Sequence, residues 1–157
     1  MDINSTSVHL NEVKHEERIR YMAYLLMADE SEEVITLYID EGELYAIHNE
    51  GEFIGVILFI FESSEVVEIK NMALIPEARG KGLGKEVIKK AFHLFREKQY
   101  KFMSVGTANS SIANLAFYQK AGFRMTDIKK DFFKKYPEPI FEDGIRALDM
   151  VMFSKEL

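Results

Sequence analysis

The six residues Arg79-Gly80-Lys81-Gly82-Leu83-Gly84 set three glycines against the start of a helical pattern. Glycine lets the backbone approach a ligand with no Cβ in the way. A helix start offers unpaired N–H groups and a partial positive charge. The combination is an anion cradle, best suited to phosphate, and Arg79, Lys81 and Lys85 add charge of the right sign. Two further residues have the chemistry to move protons. Glu68 lies between Val67 and Ile69 in an apolar run. A carboxylate on a covered strand should hold its proton more tightly than in water, as suits a general base. A solvent-facing glutamate paired with Lys70 is the plainer alternative. Ser111, Asn114 and Tyr118 stand at i, i+3 and i+7, so they share one helix face. A phenol there is either a proton donor or a packed ring. His9, His15, His48 and His93 show no paired ligand spacing, so no metal is expected. No G-x-S-x-G elbow occurs, which leaves serine-hydrolase chemistry without support.

The apolar pattern marks out the elements that must position these groups. Ile19, Met22, Ala23 and Leu26 recur at helical spacing, and Ser31 suits the N-cap of a second helix, SEEVITLYI. Three apolar runs follow, ELYAIHN, FIGVILFIF and VVEIKNMALI, separated by hairpin-length connections at 50–52 and 62–65. They predict an antiparallel meander. Gly84, Val87, Ile88, Ala91, Phe92 and Phe95 mark one face of a long helix. FMSVGT then predicts a strand parallel to Val66–Ile75, because a helix intervenes. SIANLAFYQKAG predicts a helix closed by Gly122. FRMTDIKKDFF and IRALDMVMF predict closing strands around an irregular KKYPEPIFEDG. The expected class is α+β, a central mixed, mostly antiparallel sheet flanked by helices.

A chain of 157 residues is expected to form a single domain over 1–157. The absence of cysteine excludes a disulfide framework, a thiolate metal site and a cysteine nucleophile. MDINSTSVHLNEV has no basic stretch followed by an apolar core, so no leader is expected. No apolar run is long enough to span a bilayer, and a cytoplasmic protein is the expectation. The net charge of −6 conceals a segregation. Residues 1–68 hold 3 Lys/Arg against 16 Asp/Glu, whereas residues 69–135 hold 15 against 5. If those charges gather at sites, an anionic ligand belongs near the middle segment and a cationic one near the first. An acidic chain lacks the broad basic footprint that nucleic acid needs.

The glycine loop fails two familiar phosphate patterns. A P-loop requires a glycine five residues before Gly84 and Ser or Thr after Lys85, but Arg79 and Glu86 stand there. G-x-G-x-x-G requires a glycine at position 85 or 87, where Lys85 and Val87 stand. What remains is R-x-x-G-x-G after a strand ending in proline. This resembles the [QR]-x-x-G-x-[GA] signature of the GNAT N-acetyltransferases, and the resemblance covers roughly residues 8–126. NMALIP is similar to the family strand whose splayed backbone binds the pantetheine arm. NSSIANLAFYQKAGF resembles N-x-x-A-x-x-x-Y-x-x-x-G-F, with the motif asparagine falling by spacing on Ser111. The tail from Asp131 to Met150 resembles a bacterial subgroup sometimes labelled IAA acetyltransferase.

The resemblance implies the GNAT fold, with acetyl-CoA as cosubstrate and a small-molecule or peptide amine as acceptor. It leaves room for a homodimer. It places Met72 and Leu74 on the pantetheine arm, and Arg79, Gly80, Lys81, Gly82, Leu83, Gly84 and Lys85 at the pyrophosphate. Asn109, Ser111 and Asn114 remain alternatives for a further contact to the cofactor. Tyr118 is implied as the acid facing the thioester sulfur. Glu68, eleven residues before Arg79, has the offset of the glutamate base in histone-type members, although some members use water chains instead. A non-catalytic acyl-CoA sensor on the same fold is the alternative function. A cationic acceptor drawn by the acidic first segment follows from the charge pattern.

Overall fold

Runs of apolar residues build the centre of the sheet. In the computed structural model, which describes residues 7–157, β2 (Glu43–Asn49), β3 (Glu52–Phe61) and β4 (Val66–Leu74) form the expected antiparallel meander. Residues 1–6, where the stretch read for a leader begins, lie outside the described residues. Leu44 through Ile47 and Ile54 through Phe59 are buried without alternation. Such runs arise where both faces of a sheet are covered. One cover is α3 (Leu83–Glu97), whose Val87, Ile88, Ala91, Phe92 and Phe95 are all buried, as the sequence spacing predicts. The other cover is α1 (Met22–Leu25) with α2 (Glu32–Thr36), which bury Leu25, Val34 and Ile35 against Leu44 and Leu58. Each fully buried Leu, Ile or Phe contributes about 1.5–3 kcal/mol, so the two layers together fix the sheet between them.

After α3 the chain enters β5 (Phe102–Ala108), which pairs parallel to β4. Next come α4 (Ile112–Lys120), β6 (Arg124–Lys129), the two-residue strands β7 (Phe141–Glu142) and β8 (Ile145–Arg146), and β9 (Met150–Glu156). The main sheet has seven strands in the order β1-β2-β3-β4-β5-β9-β6, with β1 (Val8–Glu12) at one edge. β9 is inserted between β5 and β6, so the chain's last strand locks the sheet's second half. No helix among the described residues is long and apolar enough to cross a membrane.

One strand is not announced by the sequence: β1, in which Val8 alone is buried. Four local expectations are corrected. The first helix is a 3₁₀ segment, His15–Tyr21, followed by one α-turn. Its expected apolar face is only half turned inward: Met22 and Leu26 pack against the core, whereas Ile19 is 65% exposed and Ala23 is exposed. Arg18 points inward instead, donating to the carbonyls of Ile39 (2.9 Å), Glu41 (2.6 Å) and Gly42 (2.6 Å). Three otherwise orphaned carbonyls outweigh one apolar contact. In the tail, IRALDMVMF is not one strand: Ala147–Asp149 separate β8 from β9. The stretch expected to be irregular contains the β7–β8 hairpin, turned by Asp143 and Gly144 at φ 51° and 75°. Ser31 does cap α2, accepting from the Val34 N–H.

Candidate active site

The site begins where two paired strands stop pairing. β4 runs to Leu74 and β5 to Ala108, yet their parallel ladder ends at Ile69 and Val105. Beyond that point they part, and a cavity of ≈ 130 Å³ lies in the fork. A bulge helps to open it. Leu58 faces Asn71 while Phe59 faces Ile69, so Lys70 is the extra residue of β4. A bulged residue is re-aimed relative to its neighbours, and the Lys70 ammonium lies 5.2 Å from the centre of the Tyr38 ring.

Tyr118 reaches this cavity from α4, as do Ser111 and Asn114. Its ring is buried against Phe117, Phe123 and Phe153, with centroids 5.2, 5.7 and 5.9 Å away. No residue among those described hydrogen-bonds its hydroxyl. Burial pushes the phenol up to about 12, so it keeps its proton at neutral pH. Asn114 is exposed at the mouth. Ser111 donates to Glu142 in β7 at 2.6 Å. Asn109 turns to the tail: its side-chain oxygen accepts from the N–H groups of Leu148 (2.8 Å) and Asp149 (3.0 Å), and its Nδ2 donates to the Arg146 carbonyl (3.1 Å).

Glu68 sits just below the fork, facing Ser104 across the parallel ladder. It is half-buried and does not line the cavity, whereas Ile69 and Lys70 do. Its carboxyl is raised above the usual range, first by burial. Lys70 opposes this, the hydrogen-bonded and charged Glu62 adds to it, and Lys129 opposes it again.

The glycine loop lies at the head of α3. Gly80 and Gly82 have φ of +74° and +76°, and a Cβ on either would meet nothing within 4 Å. Both therefore border open space in a conformation that other residues rarely adopt. Lys81 and Lys85 are exposed beside them. Leu83 packs against the core, as do Met72, which also lines the cavity, and Leu74. Gly84 differs: a Cβ there would lie 3.1 Å from Cε1 of Phe117, so this glycine admits α4 rather than a ligand. Arg79 folds back, its Nε donating to the Leu74 carbonyl at 2.9 Å.

Sequence reasoning missed the polar wall opposite Tyr118. Asp29 accepts hydrogen bonds from Tyr38 (2.8 Å) and Tyr136 (2.7 Å). Since the Tyr38 hydroxyl donates to Asp29, its oxygen must accept from Asn71, whose Nδ2 lies 3.0 Å away. That fixes the Asn71 amide, which also donates to the Leu25 carbonyl, and leaves its buried Oδ1 without a partner. Both phenols are raised, chiefly by burial. No local signal could have found a pair 107 residues apart. Of the acidic side chains of the first segment among the described residues, Asp29 and Glu30 line the cavity. Among the described residues no group of three or more His, Asp or Glu is placed to hold a metal ion.

Known proteins resemble this chain in sequence and in fold. The model of the acetyltransferase (GNAT) family matches residues 10–123. An uncharacterized N-acetyltransferase of Bacillus subtilis (strain 168), YvbK, is 37% identical over 134 residues, 85% of this chain and 86% of that protein. A GNAT family acetyltransferase from Elizabethkingia anophelis, crystallised with acetyl-CoA bound, is 39% identical and superposes with a TM-score of 0.88 over 96% of this chain and 99% of its own. The IAA acetyltransferase from Bacillus cereus ATCC 14579 is 36% identical, with a TM-score of 0.86 over 96% and 100% of the two chains. With a forked sheet, a glycine-headed helix and a family match over most of its length, the chain belongs to the GNAT acetyltransferase family.

Proposed function

We propose that the chain is an acetyl-CoA-dependent N-acetyltransferase, one catalytic domain over residues 1–157, acting on a primary amine of a small molecule or peptide by direct attack. The observation that carries this reading is the Tyr118 hydroxyl, proton-bearing and unengaged, lining the same fork as Met72 of β4. Open space beside Gly80 and Gly82 fits the close approach of a phosphate to backbone. Bound acetyl-CoA would supply an acetyl group activated as a thioester. The backbone of Gly80 through Gly84 would hold its pyrophosphate, with Lys81 and Lys85 adding charge, and Met72 and Leu74 would border its arm.

The chain's own residues then handle protons. An alkylammonium near 10.4 lies about 3.4 units above neutral pH, so baring its lone pair costs about 4.6 kcal/mol. Glu68, raised by burial, accepts that proton through water, because it stands below the cavity rather than in its wall. Tyr118 donates to the departing sulfur. A phenol at about 12 is a weaker acid than an ordinary thiol near 8.5. Its proton is therefore passed on only as the attacking nitrogen's remaining proton returns to the phenolate, and the products are an N-acetyl amide, a free thiol and one proton held by Glu68.

A non-catalytic acyl-CoA sensor would share the cradle. The two are separated by one experiment. Acetyl-CoA should raise the melting temperature in either case, since a ligand of the folded state stabilises it by mass action. Only the enzyme releases free thiol when amines are added, and a stabilised protein silent across a broad amine panel would be the sensor.

A further inference from the structure

Resting on the acetyltransferase reading above, we infer that the amine acceptor carries an anionic group, a carboxylate or a phosphate, which is held between Lys70 and Lys135. Both side chains line the cavity in the fork. Each ammonium is located by a ring that lines the same cavity: Lys70 over Tyr38 at 5.2 Å and Lys135 over Phe132 at 3.9 Å. Neither has a carboxylate within 4.0 Å among the described residues.

The cavity's carboxylates are committed elsewhere. Both oxygens of Asp29 accept phenols, and Glu142 accepts from Ser111. Glu30 is exposed at the mouth. Lys70 and Lys135 are therefore the cations of the lining left without a direct partner. The two lysines repel each other: burial first, then Lys70, lowers Lys135 from its ordinary value, while Asp29 and Glu68 oppose the shift. An anion between the lysines relieves that repulsion. Lys70 is there only because the bulge adds it to β4, so the sheet departs from regular pairing at the point where it presents this charge. The acidic residues of the first segment that flank the fork, Glu30, Glu32 and Glu33, face a neighbouring groove shared with Glu138.

The test compares matched amines in a thiol-release assay. The panel pairs the amino acids with their amides, and O-phosphoethanolamine with ethanolamine, and adds polyamines as the cationic arm. The anionic member of the best pair should exceed its neutral partner by about tenfold or more in kcat/KM, as a charged hydrogen bond implies. The carboxylate and phosphate arms show which anion is preferred. Lys70→Met and Lys135→Met keep the apolar stem and should collapse the preference, whereas Lys135→Arg should retain it. Melting shifts read the same pairs without turnover: the anionic member should stabilise the protein and the amide should not. Thiol release that favours neutral amines or polyamines, or a preference that survives both Met variants, overturns the inference and leaves the acetyltransferase reading standing. Anion-dependent, lysine-dependent stabilisation without thiol release upholds the anion site and overturns the enzyme. Neither signal overturns both.

Discussion

At Tyr118 a single oxygen separates a packed ring from a working one. The ring belongs to the aromatic cluster of Phe117, Phe123 and Phe153 whatever the hydroxyl does. Tyr118→Phe therefore tests the oxygen alone. Turnover should fall by roughly 10- to 1000-fold, a typical general-acid contribution, with the acetyl-CoA melting shift unchanged; near-parental turnover would reduce the residue to packing. Glu68 is tested by pH. The wild-type rate should rise as Glu68 loses its proton, with an acid limb displaced upward because burial and Glu62 raise the carboxyl. Glu68→Gln should lose that limb, turn over more slowly at neutral pH and recover at high pH, where the amine is already free. Parallel profiles would remove Glu68 from the chemistry. Stability carries the opposite sign. A raised carboxyl makes the folded state the tighter proton binder, so its contribution is full below the unfolded value of about 4.3 and is lost as pH rises through the folded one. The glutamine variant should hold or raise the melting temperature at pH 7.

At the scale of the element, the head of α3 divides its glycines between two tasks. Gly82 is the N-cap in a left-handed conformation with open space beyond it, and Gly84 is a packing glycine under Phe117. Gly82→Val should abolish stabilisation by acetyl-CoA, since a branched side chain would occupy the approach to the backbone and disfavour its φ. Gly84→Ala should do the reverse. It asks Phe117 to give by a few tenths of an ångström, against which alanine's helix propensity returns about 1 kcal/mol, and the acetyl-CoA shift should survive. Melting curves of both variants, with and without acetyl-CoA, check the pair; equal loss of the shift in both would mean that the whole segment acts as one packed unit. The six-residue pattern was legible in the sequence, but this division was not, because it depends on where α4 crosses.

Across the whole molecule, one wall of the fork is closed where the tail meets the α1–α2 connection. Tyr136 in the tail reaches Asp29 in the α1–α2 connection, and Asn109 holds the tail at Leu148 and Asp149. Tyr136→Phe frees one oxygen of Asp29 and unties the strap. The amine KM should rise several-fold, as loss of a charged hydrogen bond of about 1.5–3 kcal/mol allows, with the acetyl-CoA melting shift kept; an unchanged amine KM would place the strap outside acceptor binding. The sequence alone determined what is local. The period of the apolar residues in α3, the three hairpin-linked strands and the glycines before a helix are set by neighbours in the chain, so element order and class could be read from them. Glu68 and Tyr118 were legible as candidates, but not that Tyr118 lines the fork while Glu68 lies just below it. Only the tertiary structure decided which side of the first helix turned inward, because Arg18 follows carbonyls more than twenty residues away. It also decided where β4 and β5 part, that Asn109 serves the tail, and that Lys70 and Lys135 line the fork together with Asp29 and Glu30 of the acidic first segment. Those outcomes depend on long-range pairing and on which charges are neutralised across space, and neither quantity is written in residue spacing.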